Sequence, residues 1–200
     1  MIVAAVIVSL FIAAEMHADV VYTYGGQFDL RIPADPQRSN GWMTDAIIDV
    51  PSHLIIRDLD VSLSLTHTSD FDLQLFLRSP SGTRVVLNMY DAATEYFEGG
   101  DYQGTTFDDE AALPIEMGSP PFSGRFRPME GTLLSAFDGE DAFGPWRFQV
   151  YDFFEGDTGH FSSYTLALTV PEPATAAFLL LTLGLALARP RQKQPVSPPR

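Results

Sequence analysis

The middle of the chain alternates between apolar and polar residues. In Leu59-Asp60-Val61-Ser62-Leu63-Ser64-Leu65-Thr66 every second residue is apolar, the period of a strand with one packed face and one wet face. Residues 71–77, 84–88, 146–152 and 164–170 carry related patterns. Pro80-Ser81-Gly82-Thr83, between two of them, has the residues of a hairpin turn. No segment keeps a helical period over three turns, and no internal repeat is visible. Short strands parted by Gly, Pro and Asp turns predict an all-β fold, an antiparallel β-sandwich of the jelly-roll kind, over residues 19–170. His67 is read as one step off the Leu63 and Leu65 face, at the start of a polar edge, where a ring would steady a turn through a backbone hydrogen bond. Trp146 is read as a core ring between the sheets.

The two ends break this pattern. Residues 2–14 are almost unbroken apolar, and Met16-His17-Ala18 puts a small residue before a plausible cut, so residues 1–18 read as a signal peptide. Residues 174–188 form a second apolar run, about 22 Å long as a helix against a hydrocarbon core of about 30 Å. That is short for a permanent transmembrane helix. Arg189, Arg191 and Lys193 follow it and would stay on the cytoplasmic side. Residues 194–200 read as a disordered tail.

Charge narrows the function further. The 200 residues hold 26 Asp and Glu against 12 Lys and Arg, a net charge of −14. Glu15 and Glu172 are the only acidic residues outside 19–171, whereas Arg189, Arg191, Lys193 and Arg200 all lie beyond it. The middle is therefore more acidic than the whole, which argues against nucleic acid as a partner and suits a hard cation bound through oxygen. Cys is absent, which excludes thiol chemistry, Cys-held zinc and disulfides.

Two resemblances rest on particular residues. Val170-Pro171-Glu172-Pro173-Ala174, followed by the apolar run and then Arg189 and Arg191, resembles the PEP-CTERM sorting tail of Gram-negative, biofilm-forming bacteria. It implies export, transient membrane contact, and processing near Pro171-Glu172-Pro173 by an exosortase-type enzyme. The expected address is the cell envelope, outer surface or extracellular matrix. His67-Thr68, Asp72-Leu73, Ser79-Pro80-Ser81-Gly82-Thr83, Thr106-Phe107-Asp108-Asp109, Gly144-Pro145-Trp146, Val150-Tyr151-Asp152 and Asp157-Thr158-Gly159 resemble, in order and spacing, the P/Homo B domain that accompanies subtilisin-like proteases. The resemblance implies a jelly-roll sandwich and an accessory role beside a protease. It departs at Phe71, where Gly is usual, at Pro145 in place of Thr or Ser, and at Tyr164 in place of a second Trp.

Those motifs carry an acidic chemistry. Asp72, Asp108, Asp109, Asp152 and Asp157 stand in turns between strands and are candidate Ca²⁺ ligands, since Ca²⁺ takes six to eight oxygens in irregular loops; turn-capping is the plainer role of such residues. After the signal segment the histidines are His53, His67 and His160, and no catalytic site is expected. The favoured expectation is an exported, non-catalytic binding or structural module. Its alternatives are an accessory domain for a separate subtilisin-like protease and a calcium-dependent sandwich that holds exopolysaccharide, with Tyr90, Tyr96 and Tyr102 as stacking rings. Glu95 and Glu98 form an acidic pair of the glycosidase type, without further support.

Overall fold

A computed structural model describes residues 19–38, 40–89 and 101–172. The signal segment, Tyr90, Glu95, Tyr96, Glu98, Pro173, Arg189, Arg191 and the apolar run before them lie outside the described residues. The described strands are β1 (Asp19–Ile32), β2 (Gly41–Trp42), β3 (Ala46–Val50), β4 (Asp58–His67), β5 (Leu73–Arg78), β6 (Arg84–Asn88), β7 (Tyr102–Phe107), β8 (Phe122–Phe126), β9 (Gly144–Asp152) and β10 (Gly159–Pro171). Three single 3₁₀ turns, Asp70–Asp72, Ile115–Met117 and Leu134–Phe137, accompany them. Among the described residues no helix is long and apolar enough to cross a membrane.

Two sheets share one core. The first runs β1-β10-β4-β7-β8; the second runs β2-β9-β5-β6, with β3 also paired to β9. β4 is antiparallel to β10 and β7, and β9 is antiparallel to β2, β3 and β5. The sandwich is thus antiparallel in the main, as alternation predicts, but β7 and β8 run parallel. The turn of residues 79–83 does join β5 to β6 as an antiparallel hairpin.

Alternation explains which side chains meet. Leu59, Val61, Leu63 and Leu65 of β4 point inward and face Trp146, Phe148 and Val150 of β9, all buried. Each such side chain removed from water contributes roughly 1.5–3 kcal/mol. In β10 the buried positions are Gly159 and Phe161 and then Tyr164, Leu166, Leu168 and Val170. The change from odd to even numbers is produced by a register shift between Phe161 and Ser163, a bulge that inserts one residue. It turns Tyr164 into the core, where its hydroxyl donates across the sandwich to the Trp146 carbonyl of the other sheet, 3.0 Å away. Tyr164 therefore keeps a polar anchor at the position where the resemblance expected Trp, and burial pushes its phenol up. Trp146 is the core ring expected, edge-on to Phe137 at 5.2 Å and donating from Nε1 to the Ala142 carbonyl at 2.9 Å.

Candidate functional site

One end of the sandwich gathers the polar motifs. β4 stops there at His67 and β9 at Asp152, while β5 begins at Leu73 and β10 at Gly159. His67 continues the inward series of Leu63 and Leu65, so it does not begin a polar edge: its side chain is fully buried, as is that of Asp152. Strand parity decides this, since residues 63, 65 and 67 share a face whatever their polarity. Asp152 stands in the same relation to Trp146, Phe148 and Val150. Two strand ends from different sheets thus place a base and an acid inside the core.

Hydrogen bonds define the protonation. His67 Nδ1 lies 2.5 Å from the Ser69 carbonyl and 3.3 Å from the Ser69 amide; the carbonyl is the much closer and accepts only, so the contact is made by an Nδ1–H. The turn-steadying role expected for the ring is therefore present. Nε2 lies 3.5 Å from Asp152 Oδ2, and neither Asp152 oxygen has an aligned hydrogen-bond donor. A neutral ring would turn its Nε2 lone pair toward that carboxylate; a proton between them removes the repulsion. Burial works against the charged ring, but Asp152, the Ser69 carbonyl and the nearby Asp72 outweigh it and raise the His67 pKa.

Asp72 and Asp157 complete the cluster. The Asp72 carboxyl is raised by burial first and then by the charges of Asp157 and Asp152, with the Ser69 hydroxyl acting the other way. Asp157 Oδ1 accepts from the Thr68 hydroxyl at 2.5 Å, and the Thr158 amide donates back to that hydroxyl at 3.2 Å. The Phe153 amide donates to the Asp72 carbonyl at 2.8 Å, pinning the turn after β9 to the turn before β5. Phe71, the departure from Gly, sits in the Asp70–Asp72 3₁₀ turn and stacks on Phe154 at 6.4 Å. The turn is reshaped to need no positive φ.

Asp108 and Asp109 lie elsewhere. Phe107 pairs with Val61, six residues before His67 along β4, which is about 20 Å at about 3.3 Å per residue. Asp108 accepts from the Glu110 amide at 2.8 Å and from Arg125 Nε at 2.8 Å. Burial pushes its carboxyl up, but Arg125 and the Glu110 amide prevail and hold it below the usual range. Asp109 receives the Leu134 and Ser135 amides at 2.9 and 2.8 Å, capping the Leu134–Phe137 turn. The five candidate ligands therefore divide into a trio, Asp72, Asp152 and Asp157, and a distant capping pair. Among the described residues no three His, Asp or Glu side chains form a ready metal cage. The feature of the trio that fits a cation is the buried carboxylate of Asp152, whose oxygens meet no donor closer than His67 Nε2 at 3.5 Å.

Tyr102 is fully buried, stacked on Phe122 at 4.8 Å with Asn88 donating to its hydroxyl at 2.6 Å; it is a core ring and offers no stacking surface. Glu140, not singled out in the sequence, accepts from Thr83 and from Ser81, the latter at 2.7 Å, and so fixes the β5–β6 hairpin. Burial pushes Glu140 up, but the Thr83, Ser81 and Ser79 hydroxyls outweigh it and lower its pKa.

With this geometry in view, the family model of the proprotein convertase P-domain matches residues 56–168, more than half of the chain. The chain belongs to the proprotein convertase P-domain family. The match spans His67, Asp72, Trp146, Asp152, Asp157 and Gly159 and begins after β3. Among solved structures the chain is similar to the serine protease of Aeromonas sobria, at 20% identity and a TM-score of 0.45, covering 76% of this chain and 27% of that one. It is likewise similar to the Aeromonas sobria serine protease in complex with its chaperone ORF2, at 20% identity and a TM-score of 0.46, covering 77% and 28%. The chain thus spans little more than a quarter of those proteins. No curated protein matches.

Proposed function

We propose that this P-domain chain is an exported, non-catalytic module of the cell surface or its matrix, working by binding and structural support. The observation that supports this best is the enclosure of His67. A general base must come within hydrogen-bond reach of a substrate proton, and this ring is buried between Asp152 and the Ser69 carbonyl. His53 and His160 are exposed partners of Asp141 and Asp29, at 2.6 and 3.1 Å. The Pro171-Glu172-Pro173 motif with Arg189 and Arg191 supports sorting by an exosortase-type enzyme. A second reading, support of a separate subtilisin-like protease, draws on the family's own description as a convertase domain.

Ca²⁺ belongs to this reading, held by Asp72, Asp152 and Asp157. It would supply positive charge to a carboxylate cluster that otherwise relies on protons. Recovery of the exported full chain from producing cells tests the module and its sorting together. Mass spectrometry is expected to show a C-terminus trimmed near Glu172, and a panel of peptides and glycans is expected to remain uncut. An untrimmed chain contradicts the sorting, and turnover that tracks the purified chain contradicts the non-catalytic role.

A further inference from the structure

The outer face of the second sheet carries aromatic rings where a half-wet sheet calls for polar residues. Because Trp146, Phe148, Val150 and Asp152 point inward, Tyr151 points out. β2 pairs Trp42 directly with Tyr151. Trp42 stands edge-on to Tyr151 at 4.8 Å and tilted against Phe76 at 5.6 Å, and Tyr151 stands edge-on to Phe153 at 4.7 Å. Arg84 covers Phe76 with its guanidinium 4.5 Å from the ring centre. The indole remains 47% exposed and Phe153 40%. The neighbouring outward positions on β5 and β9, Gln74, Arg78, Arg147 and Gln149, are polar, so the rings form one localised cluster.

A polar wall rises beside the indole. The segment leading into β2 places Asp35, Arg38 and Asn40 beside Trp42 and Tyr151, bordering an open surface cavity of about 500 Å³, within the size range of small-ligand sites. Gly41, at φ +128°, makes the turn from this segment into the strand, a backbone conformation that suits glycine alone. Arg38 and Asp35 lie 3.5 Å apart, so the wall is electrically balanced while both planar groups stay exposed. All the wall residues precede residue 56, where the family match begins. Tyr151, on the other side of the cavity, lies within the match.

We infer that this cavity binds a neutral saccharide, with Trp42 as its stacking floor. The inference rests on the reading of the chain as a binding module and names its ligand and place. A sugar ring has an apolar C–H face that packs on an aromatic π-face, whose quadrupole attracts the polarised hydrogens. Around that face stand hydroxyls, which planar carboxylate, amide and guanidinium groups bind in pairs. An aromatic floor with an Asp-Arg-Asn wall matches both halves of that ligand. The net charge of −14 disfavours acidic polysaccharides, and the balanced Asp35-Arg38 pair gives no purchase to a net ionic ligand. A protein partner would call for a broader apolar patch than one cluster bordered by Gln and Arg.

The chain has two tryptophans, and Trp146 is fully buried, so ligand-dependent fluorescence reports on Trp42. The full chain, kept in a sugar-free detergent, is titrated with neutral oligosaccharides of glucose, mannose, galactose and N-acetylglucosamine. At least one series is expected to give a saturable blue shift. Asn40→Ala is expected to weaken that binding at least tenfold with unchanged Tm, and Trp42→Ala to abolish retention on the matching polysaccharide while the chain stays folded, with a Tm lowered by the lost ring contacts to Tyr151 and Phe76. No fluorescence change across the panel overturns the proposal. Retention unaffected by Trp42→Ala overturns the cavity while leaving the module reading intact, whereas hydrolysis of the sugars contradicts that reading itself. Fluorescence shifts produced by dilution of the chain alone would assign the cavity to a second copy and overturn the saccharide.

Discussion

Asp152→Ala is expected to lower the unfolding free energy by about 3–5 kcal/mol, the usual cost of stripping one partner from a buried ion pair. His67 would keep its Nδ1 bond to Ser69 but lose the charge that holds its Nε2 proton in the core. In a domain of this size such a loss lowers Tm on the order of 10 °C. The cost comes from the stranded partner more than from the bond. The double variant His67→Leu with Asp152→Leu is therefore expected to be more stable than Asp152→Ala alone. Thermal melts of the parent and the two variants form the test, and a near-normal Tm for Asp152→Ala would show that the pair contributes little.

Gly159→Ala is the second large effect. A Cβ there would stand 2.1 Å from the Thr66 carbonyl oxygen and 2.6 Å from His67 Cδ2. Gly159 pairs with His67 across β10 and β4, so the clash meets backbone and the buried ring together and cannot be relieved by turning a flexible side chain. Overpacking usually costs about 1–3 kcal/mol, and a backbone collision belongs at or above the top of that range. Loss of the folded baseline, or a fall in Tm comparable to that of Asp152→Ala, is expected; a variant melting like the parent would contradict the close approach. The clash also gives the Asp157-Thr158-Gly159 motif its physical reason: Asp157 ties the turn to Thr68, and Gly159 lets β10 pass the histidine.

Much of this arrangement was legible in the sequence, because alternation is a local signal. β4, β5, β6, β9 and β10 all follow it, and the turn residues Pro80-Ser81-Gly82-Thr83 mark the β5–β6 hairpin. β7 and β8 were hidden because each contains a glycine at positive φ, Gly104 and Gly124, which breaks the two-residue period. β1 was hidden by its many exposed or half-exposed positions. The site was partly legible. Asp72, Asp152 and Asp157 were named from their motifs, but His67 was assigned outward by its polarity when its parity with Leu65 required the core. The same parity applied to Asp152 would have paired the two. That Asp108 and Asp109 serve separate caps depends on strand length, which spacing along the chain does not reveal. The Trp42 cavity depends on β2, two residues long and invisible to any periodicity.

The pH dependence has a definite sign. A raised His67 pKa means that the folded state holds a proton the unfolded chain releases above about pH 6.5. Its contribution is full below that value and is lost as pH rises through the folded pKa. Asp72, also raised, acts in the same direction from about pH 4 upward, since its ionisation is disfavoured in the fold. Asp108 and Glu140, both lowered, gain their effect above the ordinary carboxylate range and lose it in acid. Above about pH 6.5 the fold holds the His67 proton that the unfolded chain has released, and its departure on passing the folded pKa leaves the acidic end short of positive charge. A divalent cation and the proton are then rival means of neutralising the same carboxylates.

The most direct test is therefore the Tm of the full chain with and without millimolar Ca²⁺, at about pH 6 and about pH 8, for the parent and for Asp152→Asn. A Ca²⁺-dependent rise that is greater near pH 8 than near pH 6, where His67 is charged, and absent in Asp152→Asn is the predicted result. No rise near pH 8, or an equal rise at both pH values that survives Asp152→Asn, would contradict a cation-held acidic end in this P-domain.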